Sequence, residues 1–220
     1  MDSIFNGDDA AADHVAIANQ FHETDAVLGY GYRRAADLLV ESWPQERDDN
    51  LLPPIVLLYR HSLELHLKSA IATAERAKQA AGQPHDPQPA LAAWFKRKAS
   101  HNLIKLANRL NRSLTELKVA EIDTRVRAVI AELHAVDPSG ENFRYSWSTS
   151  QQGDIHKVVP TGRPAGTEGC VDIIRLGGTL TDAIRHVSSI DDYLDEVVIP
   201  ALHAESAWEA RPSDQPDWSS

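Results

Sequence analysis

The stretch Leu57-Leu58-Tyr59-Arg60-His61-Ser62-Leu63-Glu64-Leu65-His66-Leu67-Lys68 constrains this chain more than any other. Wound at about 100° per residue, it puts Arg60, His61, Glu64 and Lys68 within one arc of roughly 100°. Leu63, Leu67, Ala70 and Ala74 border one side of that arc, and Leu58, Leu65 and Ala72 border the other. A solvated helix face is broad and edged by polar residues. A narrow charged stripe between apolar flanks marks a helix enclosed by its neighbours. Buried charge is costly unless paired, so the stripe is either an internal ion network or a site. The sequence leaves both open.

The remaining punctuation predicts an all-α chain. A first helix is expected from about Asp13 to Ser42, with Asp13 as its cap and Gly29 and Gly31 as points where it bends or breaks. Trp43-Pro44 should end it. The stripe helix follows, with Pro53 and Pro54 in its first turn and Gly82 past its end. Pro84, Pro87 and Pro89 make a loop, and Ala90 to Lys98 a short helix. Ser100 is the expected cap of a helix from His101 to Leu114, and Thr115 opens another that reaches Val136. Asp137-Pro138-Ser139-Gly140 spells a turn. Ile155–Val159 and Gly169–Ile173 are expected to pair as a short β-hairpin around Thr161-Gly162-Arg163-Pro164. A last helix carries Leu180, Ile184, Val187, Ile190, Leu194 and Val197, with a kink at Pro200. Four to six antiparallel helices of this kind make a bundle, with the hairpin near 155–173 as an excursion. One domain, 13–208, lies between an acidic lead-in, 1–12, and a disordered tail, 209–220.

Composition limits what such a domain can do. The net charge of −10 argues against wholesale nucleic-acid binding. The charge is uneven, however. Between Gln88 and Thr115 there is no Asp or Glu, while Lys96, Arg97, Lys98, Lys105, Arg109 and Arg112 are all present. Such a patch holds phosphates, meets an acidic partner, or simply solvates a helix face. The single Cys170 excludes an intrachain disulfide and fits a reducing, cytoplasmic setting. The apolar runs are too short to span a bilayer, and the start lacks the core of a signal peptide. His61 and His66 are five apart and do not share a helical face, so no metal site is expected. Neither a nucleophile elbow nor a phosphate-binding Gly loop is present, and no cofactor is called for.

Three constellations remain. In the stripe, Glu64 can pair with both Arg60 and Lys68 at four-residue spacing. His101 stands at a predicted helix start after the basic run; it caps or packs there unless it faces the stripe. Arg144 sits between Phe143 and Tyr145, whose rings could bury its stem and aim its guanidinium inward.

Tyr59-Arg60-His61-x-Leu63-Glu64-x-x-Leu67-Lys68, then His101-x-Leu103-x-x-Leu106, then Asp137-Pro138 and Phe143-Arg144-Tyr145 together resemble bacterial HEPN-like proteins across about residues 25–200. The resemblance implies an all-α bundle, commonly a homodimer. It also implies one of two roles. One is a metal-independent endoribonuclease of a toxin–antitoxin or anti-phage system. The other is a non-catalytic binding module, for example an accessory partner of a nucleotidyltransferase. Active members carry Arg, four to six residues, then His, a spelling met by Arg60 and His66. In the enzyme, Arg60 would stabilise the scissile phosphate, His66 or His61 would move protons, and Glu64 would orient the histidine. Lys68, Lys96, Arg97, Lys98, His101, Lys105, Arg109 and Arg144 would hold RNA. Helical geometry sets His66 roughly 120° from Arg60, on a different face from His61, Glu64 and Lys68. In the module, the same stripe would be a polar network or an anion pocket.

Overall fold

The computed structural model describes residues 24–141, 143, 147–149, 155–157 and 170–209. Helix α2 (Leu52–Ala80) is its axis, starting on Pro53 and Pro54 where a missing N–H costs no hydrogen bond. Helices α1 (Asp25–Glu46), α4 (Leu103–Glu116) and α6 (Ile173–Tyr193) all pack on it. Ile55, Leu63, Leu67, Ala70, Ile71, Ala74 and Ala77 of α2 are fully enclosed. A helix so covered must place any charge it carries inside, which is the condition the stripe predicted.

Helix α1 departs from its predicted bounds. Thr24 caps it, and the predicted cap Asp13 lies outside the described residues. Pro44 does not end it; the helix continues to Glu46 and stops at Arg47, whose φ of 46° is left-handed and whose N–H donates to the Trp43 carbonyl at 2.9 Å. Neither glycine interrupts it. Gly29 instead permits close approach, since an added Cβ would lie 3.0 Å from the His66 ring and 3.3 Å from the Ser62 carbonyl. Ser62 Oγ donates to the Gly29 carbonyl at 2.7 Å across the same seam.

After α2, the short α3 (Gln88–Trp94) runs into a π-helical segment, Phe95–Ala99, and the chain then breaks at Ser100 with φ 47°. The cap of α4 is therefore Asn102, not Ser100: its Oδ1 accepts the Lys105 N–H at 2.8 Å. Lys118, at φ 57°, separates α4 from α5 (Thr124–Val136), so no helix starts at Thr115 and Asp123 provides the cap. The expected hairpin is also corrected. Residues 170–172 have no regular structure, because Asp172 caps α6 by accepting the Arg175 N–H at 3.0 Å and so draws Ile173 into helix. Ile155–Lys157 pairs antiparallel with Trp147–Thr149 instead. Helix α6 passes through a second π-helical segment, Leu194–Val198, into α7 (Ile199–Glu209). That looser turn precedes Pro200, whose ring cannot supply an N–H to the turn before it. Among the described residues no helix is long and apolar enough to cross a membrane. The lead-in 1–12, Arg144 and Tyr145, residues 158–169 with the ends of both predicted hairpin strands and the turn 161–164, and residues 210–220 lie outside the described residues.

Candidate functional site

The stripe folds into a network with a closed inner end and an open outer end. At the inner end Arg60 is 2% exposed. Its Nη1 lies 3.2 Å from Glu64 Oε2 and its Nε lies 2.9 Å from Asp137 Oδ2. Its Nη2 donates to the His101 carbonyl at 2.6 Å and to the Asp137 carbonyl at 3.3 Å. All three guanidinium nitrogens thus face protein partners. Gly140 closes the back of the group. At φ 79° it occupies a conformation that favours glycine, and an added Cβ would sit 2.9 Å from both Arg60 Nη1 and His101 Cβ.

Glu64 connects the two ends. It is fully buried, and its Oε1 accepts from Lys68 Nζ at 2.7 Å. Both of its oxygens lie 3.1 Å from His101 Nδ1. Burial alone would push the Glu64 carboxyl up. Lys68, through its hydrogen bond and its charge, and His101 together outweigh burial and hold the group below its ordinary value. Lys68 and His101 are the outer end, with side chains 18% and 39% exposed. They open onto a cleft of about 400 Å³ that Lys96, Ser100, Phe95 and Asp25 also line. Burial raises the pKa of Asp25, Lys68 counters it, and Glu64 adds to the rise.

The other predicted residues disperse. His66 is 4% exposed and faces Gly29, away from the cleft; burial lowers its pKa, Asp191 opposes this and Arg33 adds to it. The Arg60…His66 spelling is therefore not a spatial pair. His61 packs edge-on against Tyr32, with ring centres 4.4 Å apart, and keeps a link to the cleft wall in that it opposes the rise in the pKa of Asp25. Arg109 pairs with Glu75 at 2.9 Å and Asp86 at 2.7 Å and lies over the Trp94 ring. Lys105 donates to the Lys98 carbonyl. Lys96, Arg97 and Lys98 are exposed on the π-helical segment, and of these three Lys96 shares the cleft. Among the described residues no cluster of His, Cys, Asp or Glu could hold a metal ion.

Asp137, Gly140, Asp25 and Ser100 were not foreseen as site residues. The Asp137–Gly140 turn was legible as a turn, but nothing local says that it closes over Arg60, 77 residues away. His134 is a further member: burial lowers its pKa, the Arg60 charge adds to this and Asp137 opposes it. No family model, curated protein or solved structure matches the chain.

Proposed function

We propose that the protein is a HEPN-like binding module whose outer cleft takes an anionic, phosphate-like group. One observation carries this reading: Glu64 holds Lys68 at 2.7 Å and His101 at 3.1 Å, both at the mouth of a cleft that Lys96 also enters. A buried carboxylate fixing two donors reduces the ordering that binding would otherwise require. Arg60 supports the arrangement from behind through the His101 carbonyl. The family name rests on the sequence motifs alone. With it come an antiparallel bundle, a cytoplasmic setting, a homodimer, and service beside a nucleotidyltransferase or defence effector.

The test is titration of the purified chain with sulfate, followed by calorimetry. Wild type should bind at millimolar or lower concentration, and Lys68→Met and His101→Ala should each weaken binding at least tenfold while remaining folded. No sulfate binding by folded wild type would overturn the reading.

A second reading, a metal-independent ribonuclease, draws support from the same Nδ1 contact. With Nδ1 held by Glu64, the His101 Nε2 is the ring nitrogen left for proton transfer, a carboxylate–histidine arrangement suited to general acid–base work. Arg60 is too enclosed to reach a scissile phosphate without opening the network. RNA cleavage in EDTA that is abolished by His101→Ala would favour this enzyme. Intact RNA would leave the module.

A further inference from the structure

The cleft contains a hydroxyl as well as cations. Ser100 is exposed and lines the same cavity as Lys68, Lys96 and His101. It has left the helix: at φ 47° and ψ −123° it occupies a conformation rarely adopted by a residue with a side chain. The residues before it are Lys96-Arg97-Lys98-Ala99, so cations stand two, three and four positions ahead of the hydroxyl, and all three are exposed. Serine kinases with acidic substrate grooves select such a charge pattern. The segment carrying it is a single π-helical turn ended by Ser100 in this left-handed conformation.

We propose that Ser100 is a phosphorylation site and that its phosphate occupies the anion cleft between Lys68, Lys96 and His101. The second half of this inference rests on the anion-binding reading; the first half does not. In the transfer, Ser100 Oγ attacks the γ-phosphorus of a nucleoside triphosphate held by the kinase. The Oγ–P bond forms and the bond from that phosphorus to the β,γ-bridging oxygen breaks. The nucleoside diphosphate leaves, and the hydroxyl proton passes to the base of the kinase. The product carries close to two negative charges and three acceptor oxygens at neutral pH. Lys68 and His101, already fixed by Glu64, can meet those oxygens without being reordered. The covalent phosphate would exclude free anions and so close the site. Asp25, on the same wall, opposes this docking and limits its strength.

Two measurements test the two halves. Full-length protein is incubated with a basophilic serine kinase and MgATP, then mapped by mass spectrometry. One phosphate should appear at Ser100, be absent from Ser100→Ala, and form at least tenfold more slowly in Arg97→Gln. Absence of modification at Ser100 overturns the site. Protein carrying phosphoserine at position 100 is then titrated by phosphorus NMR. The phosphate should ionise below its usual midpoint of about 6, Lys68→Met should restore that midpoint, and sulfate binding should be lost. An ordinary midpoint with sulfate binding unchanged overturns the docking. Sulfate binding by unmodified Ser100→Ala reports on the anion-binding reading separately: its loss from wild type and Ser100→Ala alike defeats that reading and leaves the modification result intact.

Discussion

At the scale of single residues the chemistry turns on Glu64, because one carboxylate serves Arg60, Lys68 and His101. Removing its charge leaves a buried guanidinium with Asp137 as its remaining carboxylate. Breaking a buried pair on one side costs about 3–5 kcal/mol, or roughly 10 °C in melting temperature for a chain of this size. Glu64→Gln should show that loss at neutral pH. The folded pKa of Glu64 is depressed, so its contribution is fully present above the ordinary carboxyl value of about 4.5 and is lost as pH falls through the folded one. The gap between wild type and Glu64→Gln should therefore close as pH drops below about 4.5. A gap that holds constant into acid would mean that Glu64 acts through packing alone. Gly140→Ala tests the back of the network without touching a charge. Its Cβ meets Arg60 Nη1 and His101 Cβ at 2.9 Å in a left-handed backbone, so about 2 kcal/mol or more should be lost. Chemical denaturation measures both variants.

At the scale of elements, the α1–α2 seam holds a buried histidine that does not line the cleft. His66 packs there against Gly29 of α1, and burial lowers its pKa, with Asp191 of α6 opposing this and Arg33 of α1 adding to it. Its folded pKa lies below the ordinary value, so the unfolded chain binds the proton more readily between the two. Stability from this site is complete above about 6.5 and falls as pH drops below it, by no more than about 1.4 kcal/mol per pH unit. His134 contributes with the same sign. His66→Met should flatten the dependence of melting temperature on pH between 7.5 and 5.5, while leaving sulfate binding in place. An unchanged profile would remove His66 from the account. The positions of the helices were largely legible in the sequence because Pro53, Pro54 and Gly82 punctuate α2 and apolar spacing marks the rest. The boundaries of α2 were legible too, whereas those of α1, α4 and α5 were not. Asn102 takes the cap from Ser100 because the preceding π-helical turn leaves Ser100 in a left-handed conformation, and no periodicity encodes that turn. The stripe as a charged line was legible; its division at Glu64 into a closed and an open half was not, because Asp137 and Gly140 reach it from a distant turn.

At the scale of the molecule, charge decides between a small anion and a long one. The cleft cations are few, and the protein around them carries a net charge of −10. The α6–α7 side is especially acidic. Burial raises the pKa of Asp192, and Asp191, Glu196 and Asp195 add to the rise. A short phosphate group in the cleft meets Lys68, Lys96 and His101. A longer polyanion would gain Arg97 and Lys98, and beyond them the net negative charge of the protein opposes it. Affinity for oligoadenylates should therefore level off after the first few nucleotides. Its salt dependence should correspond to no more than about four phosphate contacts, one each for Lys68, Lys96, Arg97 and Lys98. An RNA-processing enzyme with an extended binding track would show affinity and salt slope climbing together with length. Asp25→Asn separates the local field from the global one, since it removes a single carboxylate from the cleft wall. It should tighten sulfate binding several-fold at pH 7. That advantage should shrink as pH falls toward the raised pKa of Asp25, where the wild-type carboxyl takes up its own proton. An effect of equal size from neutralising Asp192, remote from the cleft, would mean that net charge and not the cleft sets the affinity.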